Sequence, residues 1–199
     1  MSPALCLPAR IEGEWAARYF SRPRLRNLFG LWAGLVRVAQ AGDSTTRIPP
    51  FVERLWMPAY AIRLRTLTGQ KENHVWAAID AWLGQFSLFE CVEDLVLTDL
   101  NDDSFPPHIS ENQATALARG GLQKHILRQR GQFHKPEIDV VEELKLYYHP
   151  VWVYYYRRRS KYLDIKVLDG YSGKSGGAKM RVAVVNALVA AHQRTQQQE

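Results

Sequence analysis

The stretch Tyr147-Tyr148-His149-Pro150-Val151-Trp152-Val153-Tyr154 decides how this chain is organised, because it has a counterpart in Leu55-Trp56-Met57-Pro58-Ala59-Tyr60-Ala61-Ile62. Both runs are rich in the aromatic and β-branched residues that are typical of strands. Each also carries one proline, and the two prolines are offset by 92 residues, from position 58 to position 150. Because a proline cannot donate to a ladder, each one predicts an edge position or a bulge at which the strand bends.

Two further landmarks recur in the same order. Pro8-Ala9-Arg10-Ile11 matches Pro106-Pro107-His108-Ile109 at an offset of 98 residues, and each leads into a helical segment. The strand 75–80 and the strand 164–169 both end in Asp-x-x-x-Gly, with an offset of 89 residues from Asp80 to Asp169. Loops tolerate changes of length, so we interpret the chain as a tandem duplication whose connections shortened.

These landmarks predict an α+β fold made of two repeated helix-plus-antiparallel-hairpin units, α-β-β twice, with a C-terminal helix. Residues 1–98 form the first predicted repeat and residues 99–199 the second. The first contains a helical region over 12–40 that Pro23 and the glycines at 30 and 34 split, a strand over 51–66 and a return over 75–80. The second contains a helix over 110–130 that begins with a Ser110/Gln113 capping box, strands over 140–158 and 162–168, and a final helix over 179–193.

The composition indicates an ordinary globular protein. Of 199 residues, 46% are apolar and 23% are charged, which excludes disordered and fibrous classes. The first residues lack the apolar core of an export signal, and no run approaches the roughly 18 apolar residues of a spanning helix. The sequence therefore predicts a cytoplasmic protein with no membrane span. A net charge of +6 favours an acidic partner without identifying it.

Three features resemble one known family. They are the Glu14-Trp15-Ala16 start of a helix, the aromatic first strand, and the second strand that ends in Asp169-Gly170 and Gly173. Together they are similar to PepSY-type domains. The resemblance implies a small helix-on-antiparallel-sheet module that regulates, inhibits or scaffolds other proteins and performs no catalysis.

The glycine-rich loop 170–177 is the most suggestive local signal for a ligand. Gly173-Lys174-Ser175 lies between a strand and a helix, as the end of a P-loop does, but Leu168 occupies the place of the first glycine that a phosphate cradle requires. A nucleotide site is therefore not predicted. Two interpretations stay open, a plain turn and an anion-binding site made of Lys174, Lys179 and Arg181 beside a helix N-terminus.

No pattern in the sequence predicts catalysis or a cofactor. The acidic run 99–103 lacks the glycine and the glutamate of a calcium loop, because Ser104 and Ser110 stand in those places. The six histidines show no zinc-ligand spacing, and Cys6 and Cys91 read as free thiols. We therefore predict a non-enzymatic protein with no catalytic residues, no metal and no cofactor.

The hairpin that follows the aromatic strand supports two functional hypotheses. In the first, the chain is a protein-interaction or assembly factor that docks a partner protein through its aromatic strands. Trp152, Tyr154 and Tyr156 would be the anchors, and Arg157, Arg158 and Arg159 would steer the partner. Core packing is the alternative for each aromatic residue. In the second, the chain is a basic nucleic-acid-binding accessory protein that uses the hairpin from Arg157 to Lys161. The sequence identifies neither the partner nor the oligomeric state.

Overall fold

A computed structural model describes residues 3–21, 37–39, 48–100, 104–128, 135–158 and 162–197. These residues form three helices and a mostly antiparallel eight-stranded sheet, so the predicted α+β class is confirmed. In chain order the elements are β1 (Pro3–Cys6), α1 (Gly13–Ser21), β2 (Arg37–Val38), β3 (Phe51–Thr68), β4 (Lys71–Asp80), β5 (Phe86–Leu88), a short 3-10 helix (Val92–Asp94), β6 (Val96–Asp99), α2 (Glu111–Arg128), β7 (Glu137–Arg158), β8 (Tyr162–Asp169) and α3 (Ala178–Gln196).

The two predicted hairpins are present. β3 pairs with β4 from Ala59 opposite Asp80 to Thr68 opposite Lys71, and β7 pairs with β8 from Val151 opposite Asp169 to Arg158 opposite Tyr162. The sheet order is β5-β4-β3-β7-β1-β6, with β2 beside β3 and β8 beside β7. The sequence did not predict the short strands β1, β2, β5 and β6, because segments this brief carry no readable period.

Helices form at the start of the predicted region 12–40 and in both regions predicted for the second repeat, but Arg37 and Val38, which were predicted to be helical, form strand β2. α1 begins as expected and is described to Ser21, whereas the proposed break at Pro23 and the glycines at 30 and 34 lie outside the described residues. The capping box of α2 is confirmed. The Ser110 N–H donates to Gln113 Oε1 at 2.9 Å, and the Gln113 N–H donates to Ser110 Oγ at 3.3 Å. These two bonds satisfy backbone donors that a helix N-terminus leaves free.

Contacts divide the chain into two compact units. Unit 1 consists of Met1–Leu7 and Met57–Tyr148, and unit 2 consists of Pro8–Trp56 and His149–Glu199. The chain therefore changes unit three times: between Leu7 and Pro8, next to Pro58, and next to Pro150. Each unit combines residues from both predicted repeats, and the repeat boundary at residue 98 stays a prediction.

Unit 1 is built on the β3–β4 hairpin, with α2 packed against β4 and β5. Its core joins strand residues from β3 and β4 to one face of α2, where apolar positions recur at helical spacing. The fully packed members are Tyr60, Ile62, Leu64, Ala77, Ile79, Ala81, Ala114, Ala118, Leu122 and Ile126. In the same unit β1 pairs antiparallel with β6 and parallel with β7 through Cys6 and Tyr148.

Unit 2 is built on the β7–β8 hairpin, with α3 packed against β8. Its core cluster joins Ala16 and Ala17 of α1 to Val52, Trp152 and Leu168. Gly13 lets α1 approach closely, because a Cβ at this position would lie 3.0 Å from the Trp152 ring. The helix that precedes β3 in sequence therefore packs on the second hairpin of the chain.

The two strand prolines are fully buried and lie just before the first residue pair of their hairpins. The Pro58 carbonyl accepts the Ala81 N–H at 3.1 Å, and the Pro150 carbonyl accepts the Gly170 N–H at 2.8 Å. β3 and β7 have neighbouring strands on both sides, so the predicted edge position is wrong. The Ala81 and Gly170 carbonyls opposite the prolines accept the N–H groups of Ile109 and Ile11, so no proline N–H is needed there. Within the described residues, no helix is both long and apolar enough to cross a membrane.

Candidate interaction surfaces

The predicted anchors on β7 make extensive contacts within unit 2. Trp152 is only 6% exposed, and its Nε1 donates to the Ile11 carbonyl at 2.9 Å. The Tyr154 ring stacks on Phe20 with 5.0 Å between centroids and on Tyr156 with 5.4 Å. Core packing therefore accounts for Trp152 in this structure, and the partner-binding role of the three aromatic residues stays a prediction.

Tyr156 belongs to a polar cluster at the edge of the same unit. Its hydroxyl donates to Asp164 Oδ2 at 2.9 Å, and Asp164 also pairs with Arg181. Burial raises the pKa of the Tyr156 hydroxyl, and the bond to Asp164 raises it further. Burial alone would raise the pKa of the Asp164 carboxyl, but the bonds from Tyr156 and the Ile165 N–H and the charge of Arg181 hold it below its ordinary value.

The predicted basic hairpin is only partly within the described residues. Arg157 and Arg158 are exposed at the end of β7, whereas Arg159 and Lys161 lie outside the described residues. Lys166 on β8 places its Nζ 5.0 Å from the centre of the Tyr156 ring. Exposed cations and a tyrosine ring therefore share one strand pair, which is the arrangement that the nucleic-acid hypothesis requires.

The backbone of the glycine-rich loop is hydrogen-bonded to the side chain of Asp169, the residue just before the loop. Asp169 Oδ1 accepts the N–H groups of Tyr171 and Ser172, both at 2.8 Å. These amides are therefore engaged by a carboxylate, which also places a negative charge in the loop. Arg181 pairs with Asp164, while Lys174 and Lys179 are exposed. An anion site at Lys174, Lys179 and Arg181 stays a prediction that this geometry does not favour.

Unit 1 contains a groove between α2 and β5 that was not predicted from the sequence. The groove is open to solvent and has a volume of about 690 Å³. One wall is the α2 face that carries Leu117, Gly120, Lys124 and Arg128, and the other is β5 with the turn before it. The lining residues are Gly84, Phe86, Ser87, Leu88, Ala116, Leu117, Gly120, Gly121, Lys124, His125 and Arg128.

The groove combines an apolar surface with positive charge. Leu88 and Leu117 are both exposed, and Phe86 packs partly buried against the core of the unit. Lys124 and Arg128 are exposed and form no ion pair with any residue in the described part of the chain. The groove therefore suits a ligand that is apolar along its length and acidic near one end.

The outer edge of β5 is open in the described structure. The Asp80 N–H donates to the Gln85 carbonyl at 3.0 Å, and the Phe89 N–H donates to the Trp76 carbonyl at 2.9 Å. Antiparallel pairing alternates, so the backbone groups of Phe86 and Leu88 point away from β4. No other described strand pairs with that side of β5. These N–H and C=O groups are available to an added strand.

Two adjacent glycines in α2 shape the groove. A Cβ at Gly121 would lie 2.3 Å from Phe86 Cγ, so this glycine is required for the helix to approach β5. A Cβ at Gly120 would meet nothing within 4 Å, although Gly120 lines the groove. Glycine inside a helix costs about 1 kcal/mol relative to alanine. Packing explains that cost at Gly121, whereas no contact within the described residues explains it at Gly120.

A pair of glycines inside a predicted helix was the one sequence signal that could have indicated this groove. Its other components depend on residues distant in sequence, such as Phe86 against Gly121. Among the described residues, no cluster of three or more His, Cys, Asp or Glu side chains could hold a metal ion. No family model, curated protein or solved structure matches this chain, and the resemblance to PepSY-type domains stays a prediction.

Proposed function

We propose that this chain is a non-enzymatic protein-interaction or assembly factor that binds an extended segment of a partner protein along β5. The observation that carries the proposal is the open edge of β5 beside an apolar groove whose second wall is α2. Adding a strand to an exposed sheet edge is a recurrent mode of peptide recognition. Main-chain hydrogen bonds supply affinity in this mode, and pockets for alternate side chains supply specificity.

The two walls of the groove would make different contacts with a bound segment. The outward N–H and C=O groups of Phe86 and Leu88 would pair with the backbone of the bound segment. Leu88 and Leu117 would cover its inward apolar side chains. Lys124 and Arg128 would attract an acidic residue, since neither forms an ion pair with the described residues.

The proposal places the docking surface on β5 of unit 1 and not on the aromatic face of β7. Trp152 is buried and bonded to Ile11, so a partner could reach it only after α1 moved away. Leu88 and Leu117, in contrast, are exposed without any rearrangement. A cytoplasmic location is part of the same proposal, and fractionation of cells that produce the protein would test it.

The experiment is selection of linear peptides displayed on phage, performed on the wild-type chain and on Gly120→Leu. The added leucine has room on the helix but fills the groove, so folding is retained while selected peptides stop binding. Gln123→Leu is the matched control, because it introduces the same residue at an exposed position of α2 that does not line the groove. Enrichment of apolar peptides with an acidic residue supports the proposal. Equal binding to wild type and Gly120→Leu contradicts it.

The nucleic-acid hypothesis is retained as a second candidate because of one observation. Lys166 lies over the Tyr156 ring beside exposed Arg157 and Arg158, and the neighbouring Tyr162 is also exposed. Bases can stack on such aromatic rings while phosphates contact the cations. Fluorescence anisotropy with a labelled single-stranded oligonucleotide tests it. Binding that weakens steeply with added salt and with the Arg157→Ala/Arg158→Ala variant supports this candidate, and salt-independent or absent binding rejects it.

We also infer that the two units arose by duplication of one α-β-β sequence. Equivalent hydrogen bonds support this inference. The Tyr60 hydroxyl donates to the Ile109 carbonyl at 3.0 Å, and Trp152 Nε1 donates to the Ile11 carbonyl at 2.9 Å. Tyr60 and Trp152 are 92 residues apart, as the two strand prolines are. Ile11 and Ile109 are 98 residues apart, which is the offset between the two segments that lead into helices.

The same correspondence places each helix on the hairpin of the other proposed repeat. The Ile109 N–H, ahead of α2, donates to the Ala81 carbonyl at 3.1 Å. The Ile11 N–H, ahead of α1, donates to the Gly170 carbonyl at 3.0 Å. Under the duplication hypothesis, the two repeats have exchanged helices, so neither repeat contains all the contacts of one unit.

A further inference from the structure

We propose that the segment bound in the groove is strand β6 of a second copy of this chain, so that copies associate head to tail. The inference rests on the proposed function, because it names the occupant of the same groove. β6 forms an edge of the sheet: it pairs with β1 on one side, and no other described strand pairs with its outer side. It therefore offers the unpaired backbone that strand addition on β5 requires.

The side chains of β6 are unusually apolar for an exposed edge. Leu97 is 70% exposed and the adjacent Val96 is 45% exposed. Two neighbouring apolar residues on an open edge favour pairing with another chain, and proteins normally cover such edges or place charges on them. Because adjacent strand residues face opposite sides, the apolar surface of Leu88 and Leu117 in the groove can cover Leu97, the more exposed of the two.

The charges of the two surfaces are opposite. Glu93 and Asp99 flank Val96 and Leu97 and are exposed. In the groove, Lys124 and Arg128 are exposed and form no ion pair with the described residues. The acidic flanks make pairing of β6 with a second β6 unfavourable, because like charges would face one another. They make pairing with the basic groove favourable.

The strand lengths also agree, since β6 has four residues and β5 has three. The interface joins different surfaces on the two copies, so it is heterologous, and a pair of associated copies still has one free β6 edge and one free groove. Assembly should therefore continue beyond the dimer as the protein concentration rises. Added salt should weaken it, because exposed charges contribute to the contact.

Sedimentation of matched variants tests this inference. Leu97→Lys removes the apolar contact of β6 and leaves the groove intact, whereas Lys124→Glu/Arg128→Glu reverses the charge of the groove and leaves β6 intact. We expect each variant alone to associate about tenfold or more weakly than wild type. An equimolar mixture of the two should form a 1:1 complex, because it contains one intact edge and one intact groove. Leu163→Lys is the control, since Leu163 is 62% exposed on β8, and it should associate as wild type does.

The outcomes separate this inference from the proposed function. A wild-type chain that stays monomeric at all concentrations overturns the inference, and so does a mixture of the two variants that stays monomeric. Association that depends on Leu97 but not on Lys124 and Arg128 indicates a symmetric β6 contact and also overturns it. If peptides selected on the groove bind a monomeric wild-type chain, strand addition on β5 stands and its occupant is another protein.

Discussion

At the scale of single residues, Gly120 and Gly121 should respond oppositely to the same substitution. Gly120→Ala should raise the free energy of unfolding by about 1 kcal/mol, because alanine favours the helix and the added methyl group meets nothing. Gly121→Ala should lower it, because a Cβ 2.3 Å from Phe86 Cγ forces the helix away from β5 and such overpacking typically costs about 1–3 kcal/mol. Urea denaturation followed by circular dichroism measures both. Changes of the same sign would contradict this explanation of the two glycines.

Asp164 gives a residue-scale prediction that depends on pH. Its carboxyl has a pKa lowered from the ordinary 3.8, so the charged form stabilises the fold above that pH and the contribution is lost as pH falls. At about pH 7, Asp164→Asn should lower the free energy of unfolding by about 1 kcal/mol, through weaker bonds to Tyr156 and Arg181. At about pH 3 the difference from wild type should shrink. A difference that stays constant between the two pH values would contradict the assignment.

At the scale of elements, the two Asp-x-x-x-Gly turns should make equal contributions to the free energy of unfolding, one in each unit. Asp80 Oδ1 accepts the N–H groups of Trp82 and Leu83, as Asp169 Oδ1 accepts two N–H groups in its own turn. Asp80→Ala and Asp169→Ala should each lower the free energy of unfolding by about 1–3 kcal/mol, since each leaves amides without their partner. The asparagine variants, which keep an acceptor oxygen, should lose less. Asp139→Ala is the control, because it removes only a partly exposed ion pair with Arg65 and should cost less than about 1 kcal/mol.

The elements also show which parts of the fold a sequence can predict. The hairpins and the Ser110/Gln113 capping box rest on neighbouring residues, so local patterns indicated them. β1 and β6 have four residues each and β5 has three, and their pairing joins distant segments such as Pro3 and Asp99. The groove combines two such distant parts, β5 and α2. Spatial proximity of this kind leaves little local signal, so local patterns indicated the longer aromatic strand β7 and not the groove.

At the scale of the whole molecule, the two compact units predict that neither half of the chain folds alone. Unit 1 combines residues 57–98, before the predicted repeat boundary, with residues 99–148 after it. Unit 2 combines residues 8–56 with residues 149–199 in the same way. A cut at residue 98 therefore separates α2 from the β3–β4 hairpin on which it packs and α1 from the β7–β8 hairpin. Fragments 1–98 and 99–199 should each lack dispersed amide signals in NMR spectra, and mixing them should restore the spectrum of the intact chain. A fragment 1–98 that gives a dispersed, stable spectrum alone would instead show that the first predicted repeat is an autonomous domain, and the exchange of helices would then have to be abandoned.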